Sequence, residues 1–442
     1  MPPRPTGYRT SSRPRRWPND RSGAMSGAAP GPGPVQALGG LRVLDLSRIL
    51  AGPSATQLLA DLGAEVIKIE RPGTGDDTRG WGPPFVTDDS GAETGASAYF
   101  LSANRGKHSV AVDIADPRGQ ALVQALAARA DVLVENFKPG DLARYGLDAA
   151  RLREANPRLI YCSISGFGQT GPNAGRAGYD FLVQGEGGLM SLTGLADGPP
   201  LKAGVGIADL ICGMYAAVGI LAALAARGET GRGQHIDLAL MDAQVAMLVN
   251  QGVGYLVDGK VPPRRGNDHP TIVPYGSFPA SDGSFILAVG NDGQFARFAA
   301  LAGAPGLATD PRFATNAARV RNREVLIPLI AALTAGRTAE DWLALCAAQN
   351  IPAGPINDLA QVFASPQVAA RGMTVPMTLS DGAAVRVIGN PLKMSETPVT
   401  YAKPPPALGA DTGAVLARHL GLTRAELSAL AAAGVIDGEM DA

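Results

Sequence analysis

LRVLDLSRILAGPSATQLLADLGAEVIKIE spans residues 41–70 and carries the main evidence for the fold class. Its two ends, 41–46 and 65–70, are short and largely apolar, which predicts two buried strands. Residues 56–62, between them, predict a helix. A strand, a helix and a strand in succession favour parallel pairing through a right-handed crossover.

The alternation of strands and helices continues along the chain. Further strands are predicted over 109–114, 131–136 and 159–165. A helix is predicted over 117–130, with Pro117 in its first turn, where the missing N–H has little cost. The uncharged stretch 210–226 is shorter than the roughly 20 residues that a bilayer needs, so we interpret it as a buried core helix. These patterns predict an α/β protein with a Rossmann-like large domain.

The chain divides into four parts. We assign 39–228 to the N-terminal part of the large domain, 229–355 to a smaller α+β domain with its linkers, and 356–442 to a C-terminal part that returns to the large domain. Residues 1–38 are rich in Arg, Pro and Gly, which predicts a disordered extension. With no secretory signal, a cytoplasmic protein is expected; if the Arg-rich extension is a transit peptide, the location is mitochondrial.

Composition excludes several classes of function. The chain has 39 basic and 40 acidic residues and only 5% aromatics. This balance argues against a nucleic-acid partner, and the single apolar stretch argues against a membrane protein. The three cysteines form no CxxC motif and the four histidines have no ligand spacing, so no metal site is expected.

Two local patterns suggest a role in ligand binding or catalysis. GFGQTG (166–171) matches a dinucleotide fingerprint, but Pro172 follows at once and the match does not open a helix, so a ligand-approaching loop is favoured. Asp209 precedes the apolar stretch, where a helix N-terminus favours an ionised carboxylate that can act as a nucleophile. From the residues alone, simple helix capping is the favoured role of Asp209.

A resemblance changes that interpretation. DLSRILAGPSATQLLADLGAEVIKIERPGTGDDTRGWGPPF (45–85), ADVLVENFKPGDLARYGL (130–147), RAGYD (176–180), DLICGMYAAVGILAAL (209–224) and GETGRGQHIDLALMDA (228–243) closely resemble the class III CoA-transferases. The resemblance implies an interlocked homodimer of this fold, with an acyl-CoA and a carboxylic acid as small-molecule substrates and no tightly bound cofactor. It also implies that Asp209 is the nucleophile.

Other site residues follow from the same resemblance. The expected coenzyme A and substrate contacts are Leu50, Ala51, Arg71, Val112, Asn136, Phe137, Arg144, Tyr179 and Asp180. Each also has a plainer interpretation: Arg71 and Arg144 as surface charges, and Phe137 as core packing.

In detail the sequence looks most like the dicarboxylate transferases that move coenzyme A from succinyl-CoA to an acid such as glutarate. A dicarboxylate needs a cation for its distal carboxylate, and Arg105, then His269, are the candidates. Itaconate, citramalate, malate, formate and oxalate remain alternative acids. An α-methylacyl-CoA racemase shares the fold, but its chemistry needs a base pair that commonly includes histidine, and no histidine lies between His108 and His235.

Overall fold

The computed structural model describes residues 35–88 and 90–440. The predicted N-terminal extension, 1–38, lies almost entirely outside these residues. Of the described residues, those within 42–258 form eight strands and nine α-helices, many of them in alternation. In chain order they are β1 (Arg42–Asp45), α1 (Ala51–Asp61), β2 (Glu65–Glu70), β3 (Phe85–Thr87), β4 (Glu93–Ser97), α2 (Ala98–Ala103), β5 (Lys107–Val112), α3 (Pro117–Ala127), β6 (Val132–Glu135), α4 (Ala149–Ala155), β7 (Ile160–Ser165), α5 (Asp180–Glu186), α6 (Leu189–Leu192), α7 (Ile207–Thr230), β8 (His235–Ala239), α8 (Leu240–Ala246) and α9 (Val249–Asp258).

The second part of the chain holds smaller sheets and more helices. Its elements are β9 (Tyr275–Ala280), β10 (Gly283–Ala288), α10 (Asp292–Leu301), α11 (Asn316–Arg321), α12 (Arg323–Thr334), α13 (Ala339–Ala348), β11 (Ala353–Pro355), α14 (Leu359–Ala364), α15 (Pro366–Ala370), β12 (Thr374–Thr378), β13 (Ala384–Ile388), α16 (Thr412–Leu420), α17 (Arg424–Ala432) and β14 (Ile436–Asp437).

A seven-stranded sheet forms the centre of the large domain, in the order β14-β5-β2-β1-β6-β7-β8. All neighbours are parallel except β14, which pairs antiparallel with β5. The α/β class and the parallel sheet predicted from the sequence are confirmed. The chain moves outward from β1 in one direction and from β6 in the other, so a topological switch point lies between these strands, where ligands bind in such sheets.

The predicted boundary at residue 228 is wrong. Strand β8 (His235–Ala239) continues the large sheet beside β7, and α8 packs against α7. The sequence argument missed this strand because its residues alternate between polar and apolar, unlike the buried runs before it. The small domain has its own core, built around the β9–β11 sheet and Trp342.

Helix α7 is the apolar helix that the sequence predicts. The expected burial holds for one face only, since 39% of its most apolar window is buried, and by length and composition alone the helix could cross a membrane. One face packs on α1 and on β7. This packing is tight at Gly213, where an added Cβ would lie 2.6 Å from the carbonyl oxygen of Ala51. The N-terminal ends of α1 and α7 therefore border the same space.

Candidate active site

Two adjoining cavities open at the carboxyl ends of the parallel strands. The smaller, about 220 Å³, contains Asp209 and is bordered by the loops that follow β1, β6, β7 and β8. The larger, about 660 Å³, lies over the ends of β2 and β5. Arg48 and Phe137 belong to the walls of both cavities. One ligand long enough to pass these two residues would therefore reach from the large cavity to Asp209.

Asp209 is in the first turn of α7 and is 9% exposed. Burial, and then the charge of Asp180, raise the pKa of its carboxyl from 3.8 to about 7. This differs from the expectation that the helix N-terminus keeps Asp209 ionised. The carboxylate accepts no hydrogen bond from the residues that the structure describes, so no hydrogen bond offsets the rise in pKa that burial causes. A desolvated carboxylate that loses its proton near neutral pH is a reactive nucleophile.

Asp180 explains why the helix dipole does not hold Asp209 in its charged form. Its Oδ1 atom accepts the backbone N–H groups of Ala208, at 2.8 Å, and of Asp209, at 3.3 Å. Gln184 donates to the other oxygen of Asp180 at 2.6 Å and fixes it there. Asp180, expected to face the thioester, therefore caps α7 instead, and the N–H groups assigned to Asp209 by the sequence argument are already bound.

The segment that follows β7 packs closely against residues 176–180 at two glycines. A Cβ on Gly166 would lie 2.5 Å from the Cα of Gly178, so the two backbones touch. This approach brings the segment RAGYD (176–180) to the end of β7. Tyr179 is exposed there and borders the Asp209 cavity, as do Leu50 and Ala51.

The large cavity is bordered by side chains of both charges, and two of its arginines are exposed. Arg71 follows β2, and Arg144 lies on the short 3-10 helix Asp141–Tyr145, with its guanidinium 4.7 Å from the Tyr145 ring centre. Both side chains are exposed and border the cavity, with Val112 in its wall. Two guanidinium groups around an open cleft suit phosphate groups, which arginine binds through two parallel hydrogen bonds.

The predicted distal-carboxylate anchors lie elsewhere. Arg105 is 3% exposed, and its guanidinium donates two hydrogen bonds to Asp61, at 2.8 and 2.6 Å, and a third to the carbonyl of Ile388. It borders neither cavity, so it tethers the C-terminal part of the chain rather than facing a substrate. His269 is in the small domain beside Tyr275 and borders neither cavity.

Three residues near Asp209 were missed by the sequence argument. Arg176 and Lys138 border its cavity and carry positive charge. Tyr99 is close enough that its pKa is raised by burial and then by the charge of Asp209. Arg176 and Lys138 fall within motifs that the resemblance covers, but no sequence signal separates them from ordinary surface charges; Tyr99 carries no signal at all. Among residues 35–88 and 90–440, no group of three or more His, Cys, Asp or Glu residues could hold a metal ion.

Comparison with known proteins identifies the class of this site. The model of CoA-transferase family III matches residues 38–412, and the chain belongs to that family. The chain is 50% identical to a succinate–glutarate CoA-transferase from Agrobacterium fabrum over 86% of this chain and 95% of that one. It is 43% identical to the succinyl-CoA:glutarate CoA-transferase of Mus musculus, over 91% of each. A CAIB/BAIF family protein from Brucella suis has a similar structure, with a TM-score of 0.77 and 48% identity over 87% of this chain and 99% of that one.

Proposed function

We propose that this CoA-transferase moves coenzyme A from succinyl-CoA to glutarate, with Asp209 as the nucleophile. The observation that carries the proposal is that the two cavities adjoin: a cleft bordered by the exposed Arg71 and Arg144 shares the wall residues Arg48 and Phe137 with a small cavity that is bordered by the buried carboxylate of Asp209. The names of the two relatives above support the choice of acids.

The chemistry runs through two acyl exchanges. The Asp209 carboxylate attacks the thioester carbonyl of succinyl-CoA, and the C–S bond breaks to give a mixed anhydride and the coenzyme A thiolate. The thiolate then attacks the aspartyl carbonyl and releases succinate, leaving coenzyme A on Asp209 as a thioester. Glutarate repeats the steps in reverse order and leaves as glutaryl-CoA. Each step exchanges one activated acyl bond for another, so no further energy source is needed.

The residues around Asp209 assist these steps by holding geometry and excluding water. Asp180 fixes the first turn of α7 through the N–H groups of Ala208 and Asp209. Burial keeps Asp209 poorly solvated, which increases the reactivity of its carboxylate. It also limits the hydrolysis that would turn a transferase into a thioesterase.

Arg176 is our candidate for the distal carboxylate of the acid, in place of Arg105. Arg48 belongs to the walls of both cavities, whereas Arg176 borders only the one that contains Asp209. Its guanidinium lies 4.6 Å from the Phe167 ring centre and donates to Glu186 at 2.6 and 3.1 Å. A substrate carboxylate would replace Glu186 as its partner.

Two matched variants test this assignment. Arg176→Leu should raise the KM for glutarate about tenfold or more, the value of one charge-assisted hydrogen bond, and leave the KM for butyrate unchanged. Glu186→Gln frees the guanidinium and should lower the KM for glutarate. Equal effects on glutarate and butyrate would rule out Arg176 as the anchor.

A panel of acids tests the function itself. Purified protein with succinyl-CoA and glutarate should form glutaryl-CoA and succinate in equal amounts, as measured by liquid chromatography. Asp209→Asn should abolish the reaction. If glutarate is inert while mesaconate, citramalate, malate or oxalate is a fast acceptor, the transferase chemistry stands and the proposed acid is wrong.

We also propose that the protein is a homodimer. Several apolar side chains are exposed on three helices: Phe181 on α5, Met214 and Val218 on α7, and Val253 and Leu256 on α9. Leu256 is 81% exposed, and extensive exposed apolar surface marks an interaction site. Light scattering should give twice the chain mass of 45.3 kDa, and a fully active monomer would contradict the proposal.

A further inference from the structure

The turn between β1 and α1 has an unusual backbone. Ile49 has φ +73°, a left-handed conformation that β-branched residues rarely adopt. Ile49, Leu50 and Ala51 border the Asp209 cavity. Strain at a ligand-facing position persists only where the surrounding structure holds it in place, so the contacts of this turn are informative.

Side chains from other segments fix the two residues before Ile49. Lys68, on β2, donates to the carbonyl oxygen of Ser47 at 2.8 Å. Asn136, after β6, accepts from the backbone N–H of Arg48 at 2.9 Å and donates to its carbonyl oxygen at 2.7 Å. The backbone is therefore held on both sides of Arg48 before it reaches the strained residue.

Asp76 holds the strained residue itself. The N–H of Ile49 lies 3.2 and 3.3 Å from its two carboxylate oxygens. Lys68 donates to Asp76 at 2.9 Å, and the N–H and hydroxyl of Thr78 donate at 3.0 and 2.8 Å. Lys68 and Asp76 are buried, at 0% and 1% exposure. A buried ion pair is rarely more stabilising than an apolar pair of the same size, so stability alone does not account for it.

The turn sets the position of the N-terminal end of α1. Leu50 supplies no side-chain cap to this helix, and within the described part of the chain no side chain accepts from its first N–H groups, those of Ala51 and Gly52. N–H groups at a helix start stabilise negative charge on an oxygen that develops during acyl transfer. A small shift of Ala51 would change their distance from the reacting carbonyl at Asp209.

We infer that the buried pair Lys68–Asp76 acts as a positioning clamp that holds Ile49 in its left-handed conformation and so aligns the start of α1 with the acyl group on Asp209. This inference rests on the proposed role of Asp209. Lys68 and Asp76 border the large cavity, but at 0% and 1% exposure they offer a ligand there almost no surface to contact. The clamp therefore acts mainly on the chemical step, through the backbone of residues 49–51, and little on the binding of coenzyme A.

Asp76→Asn tests the clamp because asparagine keeps the shape of the side chain but replaces one carboxylate oxygen with an NH2 group, which cannot accept hydrogen bonds. It should lower kcat on the order of 100-fold, the effect of misplacement by about 1 Å, while the KM for succinyl-CoA stays within about twofold. Ile49→Gly should restore kcat about tenfold in the Asp76→Asn background, because glycine adopts positive φ without strain. Ile49→Val, which keeps the strain, is the matched control and should restore nothing.

Thr78→Val loosens the same carboxylate without leaving Lys68 unpaired. Thr78→Val replaces Asp76→Asn as the test variant if Asp76→Asn does not fold. It should give a smaller loss of kcat, with the same rescue by Ile49→Gly. A normal kcat in these variants, a loss that glycine does not rescue, or an equal change in KM would overturn the inference. A wild-type protein without transfer activity would instead refute the proposed function.

Discussion

Replacing Asp209 by asparagine should stabilise the protein at alkaline pH, and the size of the effect follows from its burial. The pKa of Asp209 is raised from 3.8 to about 7, first by burial and then by Asp180. The folded protein thus holds the proton more tightly than the unfolded chain does. The contribution of Asp209 to the free energy of unfolding is complete below 3.8 and falls as pH rises toward about 7.

At about 1.4 kcal/mol per pH unit, the wild type loses roughly 4 kcal/mol by pH 8 and roughly 1 kcal/mol by pH 4.5. Asparagine carries no charge at any pH, so Asp209→Asn should be more stable than the wild type by about these amounts. Urea unfolding of both proteins at pH 4.5 and pH 8, followed by circular dichroism, measures the two differences. Equal differences at the two pH values would show that Asp209 is not desolvated in the folded protein.

Three further predictions concern charges around the site. The kcat/KM for transfer should rise with pH and level off above about 7 as Asp209 ionises. Asp180→Asn should move the inflection of this pH–rate profile to lower pH. An unmoved inflection would contradict the effect of the Asp180 charge on the pKa of Asp209. Arg144→Gln should raise the KM for succinyl-CoA with little change in kcat, measured by initial rates, and an unchanged KM would remove Arg144 from the phosphate cleft. Arg105→Leu should lower the free energy of unfolding by about 3–5 kcal/mol in urea titrations, because Asp61 is left buried without its charged partner. The KM for glutarate should stay unchanged. A selective rise in that KM would restore Arg105 as the anchor.

The strands of the large sheet could be predicted because their burial on both faces produces continuous apolar runs. The five strands that the sequence predicts form within two residues of their predicted bounds. Helix α1 begins earlier than predicted, at Ala51, since Pro53 is tolerated in a first helical turn. Strand β8 was missed because only one of its faces is even partly buried along its length, which gives its sequence the alternating pattern of a surface strand.

The structure brings several of the predicted site residues together. Asp209, Asn136 and Phe137 border the small cavity and Arg71 borders the large one, and their roles stay predictions. The roles of Asp180 and Arg105 were not predictable. Asp180 binds N–H groups 28 and 29 residues away, and Arg105 pairs with Asp61 at a separation of 44 residues. Tertiary contacts of this kind leave no local pattern in a single sequence.

Trapping the acyl adduct on the buried carboxylate at the start of α7 shows whether Asp209 is the nucleophile. Wild-type protein would be incubated with succinyl-CoA and then hydroxylamine, digested, and analysed by mass spectrometry. We expect a hydroxamate on Asp209 that requires succinyl-CoA and is absent from Asp209→Asn. Protein that transfers coenzyme A while Asp209 stays unmodified, or that carries the adduct on another residue, would contradict this role of Asp209.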